Sequence, residues 1–179
     1  MNPLLQKSAK KPKTWIIASL LSFSVNAEVI DASQIYNQLE QSGDKEVIAC
    51  GGVGVDKFYN IGIYRRGTEY STVIEVLDGY EKVLFQIHGR DEHERFINFM
   101  NRSTSIIDHS VFRSKQIYVG RLNRITYNIG IRTFDGNVVF DMNSDGAFAT
   151  FVVPHSQMND ITYCLKQIDG AMKKVWIDY

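Results

Sequence analysis

The chain is short of the residues and spacings that most often announce a chemical mechanism. Its 179 residues include four histidines, two cysteines and three prolines. No H-E-x-x-H sets two imidazoles on one side of a helix, and no G-x-S-x-G forms a nucleophile elbow. These absences exclude the helix-borne zinc hydrolases and the elbow-type serine hydrolases. Gly51-Gly52-Val53-Gly54 follows a strand-like run, but no Lys-Ser/Thr and no helix pattern follow it. A phosphate loop is therefore excluded, and a bulge or sharp bend in a sheet is expected instead. The formal net charge is zero. There is no Pro/Ser-rich linker and no repeat, which points to one domain.

The long apolar stretch is Trp15 to Val25, preceded by Lys7, Lys10, Lys11 and Lys13 and followed by Val25-Asn26-Ala27. That order is the order of a secretory signal, with cleavage expected after Ala27. The run is about half of the ~20 residues a membrane span needs. The expected division is a signal peptide at 1–27 and a single exported domain at 28–179. Removing the signal takes four lysines and no carboxylates, leaving 16 basic against 20 acidic side chains, a net of −4. Mild acidity without a basic cluster speaks against nucleic-acid binding, which depends on displacing counterions. An even number of cysteines in an exported chain points to a Cys50–Cys164 disulfide. Closing so long a loop is worth ~4 to 5 kcal/mol in the chain-entropy model.

The clearest local structure lies between Arg124 and Val153. Ile125, Tyr127, Ile129, Ile131 and Thr133 alternate with Arg124, Thr126, Asn128, Gly130 and Arg132, the period of a half-buried strand. Asp135-Gly136 supplies a two-residue hairpin turn, and Asn143-Ser144-Asp145-Gly146 punctuates the chain again before AFATFVV. A similar meander is read from Tyr59 to His88, with turns at Arg66-Gly67 and Asp78-Gly79. Between the meanders DEHERFINFMNRS forms a helix capped by Asp91, with His93, Phe96, Ile97 and Met100 on one face. Further expectations are a short helix capped by Asp31, weak strands SIIDHSVF and QIYV, and a helix capped by Ser156 and stopped at Gly170. The tail KVWIDY reads as an edge strand. The fold class is α+β, mostly antiparallel: two meanders in a curved sheet, sandwich or partial barrel with about three short helices.

Three constellations invite chemistry. His88, Asp91 and His93 are zinc-ligand types, but a strand end and a helix face place them badly, and His93 reads as a core histidine. Asp141, Asn143, Asp145 and Gly146 spell the first half of an EF-hand loop, yet Val152 occupies the position of the bidentate carboxylate, so a plain hairpin is expected. Arg121, Arg124, Asn128 and Arg132 form a polar, basic stripe on the exposed side of the central strand, suited to an acidic partner.

These features make the chain an expected non-enzymatic, periplasmic or secreted protein-binding protein, such as an inhibitor or immunity protein against an envelope-acting enzyme or toxin. It would need no cofactor, bind no nucleic acid and carry no membrane span once processed. The alternatives are a subunit of an envelope secretion or conjugation apparatus, a small metal-dependent hydrolase using His88, Asp91 and His93, and a carrier holding a ligand inside a barrel.

Overall fold

The computed structural model describes residues 29–41, 43–109, 116–144 and 147–178. The expected signal peptide and the turn residues Asp145 and Gly146 lie outside the described residues. The chain runs α1 (Ala32–Glu40), β1 (Lys45–Val53), β2 (Phe58–Arg66), β3 (Glu69–Asp78), β4 (Glu81–His88), α2 (Arg90–His109), β5 (Ile117–Asn123), β6 (Tyr127–Phe134), β7 (Asn137–Ser144) and β8 (Ala147–Pro154). A 3-10 turn, His155–Gln157, then leads into α3 (Met158–Asp178). Among the described residues eight strands form two antiparallel four-stranded sheets, β1-β2-β3-β4 and β5-β6-β7-β8, as the two meanders predict.

Turn chemistry sets the registers. Asp135 and Gly136 both have positive φ, 49° and 75°, which suits the right-handed twist of the β6–β7 hairpin. Phe134 thereby pairs with Asn137, and Ile129, Ile131 and Thr133 all turn inward. In β1 the register shifts between Ile48 and Cys50, just ahead of the glycine-rich stretch, whose Gly51, Gly52 and Val53 pair regularly with Asn60, Tyr59 and Phe58. Gly54 then packs so closely on the carbonyl of Val152 that a Cβ would clash, and Val55 N donates to that oxygen at 2.7 Å. The β1–β2 connection thus closes against β8 of the other sheet.

Both sheets and all three helices share one core. Ile61, Ile74 and Phe85 from the first sheet meet Ile129, Phe140 and Phe151 from the second, with Phe96 and Met100 of α2 and Ile161 and Leu165 of α3 between them. The void enclosed there is about 10 Å³ and wholly apolar, too small for a carried ligand. Cys50 and Cys164 are bonded, with Cα atoms 6.0 Å apart, and fasten β1 to α3.

Several local expectations are corrected. The first five residues of SIIDHSVF are helical, since α2 continues to His109 with Thr104 Oγ1 donating to the Met100 carbonyl at 3.0 Å and meeting Thr162 Oγ1 at 3.1 Å; residues 110–112 lie outside the described residues. Asp91 lies inside the first turn of that helix, which starts at Arg90 after Gly89. Ser156 lies in the 3-10 turn ahead of α3. Gly170 does not stop α3; it sits mid-helix where α1 crosses, 3.1 Å from Ala32 Cβ if given a Cβ of its own. KVWIDY is helical as far as Asp178, with Val175 buried one turn beyond Ala171 and Met172. The two long helices, 20 and 21 residues, also exceed the short ones expected.

Candidate functional site

The outward side of the second sheet is built by period-2 alternation in β6. With Tyr127, Ile129, Ile131 and Thr133 buried, Asn128, Gly130, Arg132 and Phe134 must face away from the core. Strand pairing extends them into rows across the sheet. Asn123, Asn128, Asn143 and Phe148 form one row, Arg121, Gly130, Asp141 and Thr150 the next, and Tyr118, Arg132, Val139 and Val152 the third. Gly130 contributes no side chain to the middle row, and nothing lies closer than 3.7 Å to the position of its absent Cβ. The result is an open depression of about 240 Å³ bordered by Tyr118, Arg121, Asn128, Asp141, Asn143 and Phe148.

Charges on this face are unequal in what they do. Arg132 Nε donates to Asp141 Oδ2 at 3.0 Å, and Thr150 Oγ1 donates to Asp141 Oδ1 at 2.8 Å. Both oxygens of that carboxylate are engaged. Asp141 and Asn143, the described half of the EF-hand-like run, are therefore strand residues of β7, not loop residues. Arg121 is exposed and has no ion-pair partner among the described residues. Beside it the rings of Tyr118 and Phe148 are open to water, at 66% and 62% exposure, while Phe134, at 52%, stands further along the same face at the end of β6.

The four residues of the expected stripe thus divide. Arg121, Asn128 and Arg132 share the face. Arg124 does not, because β6 begins only at Tyr127 and Arg124 sits in the preceding turn, its N–H bonded to the Tyr127 carbonyl at 2.8 Å. Its guanidinium forks onto Glu92 of α2, with Nε 2.7 Å from Oε2 and the second nitrogen on Oε1, and Tyr127 donates to the same carboxylate at 3.1 Å. The Arg124 contact holds the Glu92 carboxyl below its usual range, while burial and Glu92 push the Tyr127 phenol up. Ile125, expected in the strand, is instead fully exposed in that turn.

The histidines are dispersed. His93 is buried as expected, with Nδ1 2.6 Å from Thr72 Oγ1, Nε2 3.3 Å from Asp169 Oδ1, and the Trp176 ring edge-on at 5.2 Å. With its proton on Nε2, the ring donates to Asp169 and accepts from Thr72. Burial holds His93 below the ordinary histidine value, opposed by Asp169. His88 ends β4 and pairs its Nδ1 with Ser71 Oγ at 2.7 Å. Both His93 nitrogens are occupied, and among the described residues His88, Asp91 and His93 are not brought together as a metal-holding group.

Sequence patterning located the strand and its polar side but missed Tyr118, Phe134 and Phe148. Phe134 carried a signal, since it occupies the next outward position after Arg132. Phe148 is recognisable only once Asn143 is known to be its partner. Comparison of the chain with protein-family models and with curated proteins found no match.

Proposed function

We infer that this chain is an exported, non-enzymatic protein-binding protein of the cell envelope whose partner docks on the open face of the second sheet. The observation that carries this reading is the grouping of Tyr118 and Phe148 around unpaired Arg121, with exposed Phe134 further along the same face. Aromatic residues and arginine are the types enriched where proteins bind one another, and few side chains there carry most of the energy. An uncompensated guanidinium beside exposed rings favours a partner that presents a carboxylate next to apolar groups. The Cys50–Cys164 bond fits an oxidising compartment such as the periplasm. No described helix is long and apolar enough to cross a membrane. Within this reading the protein acts as an inhibitor or immunity protein: it covers an acidic surface of an enzyme or toxin and blocks it by occupancy.

The test is affinity capture from an envelope fraction with the tagged protein and three variants, Arg121→Glu, Phe148→Ala and, as a control on the other sheet, Gln86→Ala. One stoichiometric protein should be retained by the parent and the control. Arg121→Glu should weaken its binding ~10- to 100-fold, on the order of 1.4 to 2.8 kcal/mol, the scale of a central anchor. Retention of nothing, or equal retention by Arg121→Glu and Phe148→Ala, overturns the reading. Loss of a purified partner's activity on binding would mark an inhibitor, whereas undiminished activity within a larger assembly would mark an apparatus subunit.

A further inference from the structure

The outer face of the first sheet carries a different constellation, independent of the binding face above. Its registers align Glu46, Tyr64, Ser71 and His88 in one row across all four strands. The neighbouring row is Ile48, Gly62, Val73 and Gln86, and beyond it lie Asn60, Glu75 and Leu84. The middle row is low. The bulge in β1 brings the Val47 carbonyl against Gly62, where a Cβ has no room, and Val73 is buried level with the sheet. A trough of about 360 Å³ follows, floored by Val73 and walled by Glu46, Tyr64, Gln86 and His88. Three strand spacings make it ~14 Å long.

The chemistry of the walls narrows what fits. Ser71 Oγ and His88 Nδ1, 2.7 Å apart, resemble a nucleophile and its base. Acyl transfer also needs N–H donors aimed at a developing oxyanion. β3 pairs on both sides, so the N–H groups around Ser71 serve the two ladders. The pair therefore serves binding. Glu75 is held by Asn60 Nδ2 at 3.0 Å and by Lys82. Burial and the nearby Glu75 push the Glu46 carboxyl up. Arg66 stands beside Glu69 and Lys82 pairs with Glu75, so that no positive excess remains to draw in a phosphate and Glu46 alone is too little to draw in a polycation. What remains is a shallow apolar strip, one tyrosine ring, and carboxyl, amide, imidazole and hydroxyl groups in line.

We propose that this trough binds a neutral oligosaccharide, whose C–H faces lie on Leu84 and Tyr64 and whose hydroxyls bond to Glu46, Gln86 and His88. Hydroxyl groups are both donors and acceptors, and planar carboxyl and amide side chains satisfy neighbouring pairs of them. An open, wet groove also suits a ligand that stays largely hydrated.

The experiment is an amide-shift titration of the protein with chitotetraose, cellotetraose and maltotetraose, with inorganic phosphate as the comparison. At least one saccharide should bind with millimolar or tighter affinity and move signals of residues 46–48, 62–64, 71–73 and 84–88. Tyr64→Ala should weaken it tenfold or more. Gln86→Ala, a milder change in a half-buried side chain, should also weaken it, while Arg121→Glu should leave it unchanged. Circular dichroism checks that each variant is folded. No shift with any saccharide at millimolar concentration, full binding by folded Gln86→Ala and Tyr64→Ala, or binding of phosphate in the saccharides' place overturns the proposal.

Discussion

The element order ββββα occurs twice, first as β1–β4 with α2 and then as β5–β8 with α3, yet the two halves are put to different uses. In the first sheet β3 is buried from Tyr70 to Val76 on both sides, and a carboxylate, Glu75, is held on its outer face. In the second sheet β6 alternates strictly, and its outer face leaves rings and a guanidinium in water. The helices depart from the order in a telling way. α2 lies between β4 and β5, whereas α3 reaches back to β1 and β2 of the first sheet and is bonded there through Cys164. A repeated order of elements therefore does not make two modules, because the second half's helix completes the first half's core.

The most disruptive way to break this arrangement is to open the bond between the halves. Cys50→Ala with Cys164→Ala should cost ~4 to 5 kcal/mol, the entropy of closing a loop over a separation of 114 residues. Urea unfolding with and without reductant reads it, and an unchanged midpoint would refute the assigned role.

A second, smaller effect tests the contact of α3 with β3 through His93. Thr72, Asp169, Lys173, Glu94 and Trp176 surround the ring. The unfolded imidazole takes a proton near pH 6.5, and the buried one only at lower pH. Below about pH 6.5 the unfolded state thus binds a proton that the folded state refuses. Stability should fall from there by up to ~1.4 kcal/mol per pH unit and be unaffected by this group above it. His93→Gln should flatten that slope, and denaturant midpoints at several pH values show whether it does.

The smallest of the three concerns the join between α2 and the second sheet. Arg124→Ala leaves the partly exposed Glu92 without its forked partner and should lower the melting temperature slightly, as expected of a pair screened by solvent. Conservative exchange to lysine should recover only part of this, since an ammonium cannot form the fork. A thermal melt of the two variants measures the difference.

How much of this could be read in advance depended on range. The strands of both meanders, the Asp135-Gly136 turn and the inward stripe of α3 are encoded by residues within a few positions of one another. The Cys50–Cys164 pairing was legible for a different reason, because two cysteines allow only one bridge. Helix ends were harder. Thr104, Ile106 and Ile107 favour a strand locally, but packing of Thr104 and Ile107 against the interior keeps them helical. Gly170 resembles a stop until Ala32 of α1 is seen against it. The candidate face was half legible: alternation exposed Asn128 and Arg132, while the pairing of Arg124 with Glu92, 32 residues earlier, has no local trace.

The bond between β1 and α3 also decides how the molecule answers to force. A pull applied at the two ends travels along the chain to Cys50, crosses to Cys164 and leaves again, bypassing everything between. Only the α1 segment with the start of β1 and the remainder of α3 can be drawn out. The 114-residue separation, ~400 Å of extended chain, stays out of the line of tension. The outer face of the second sheet is thus spared the load while the sulfurs remain joined, whereas Glu46, at the edge of the first sheet's trough, lies on the loaded side of Cys50.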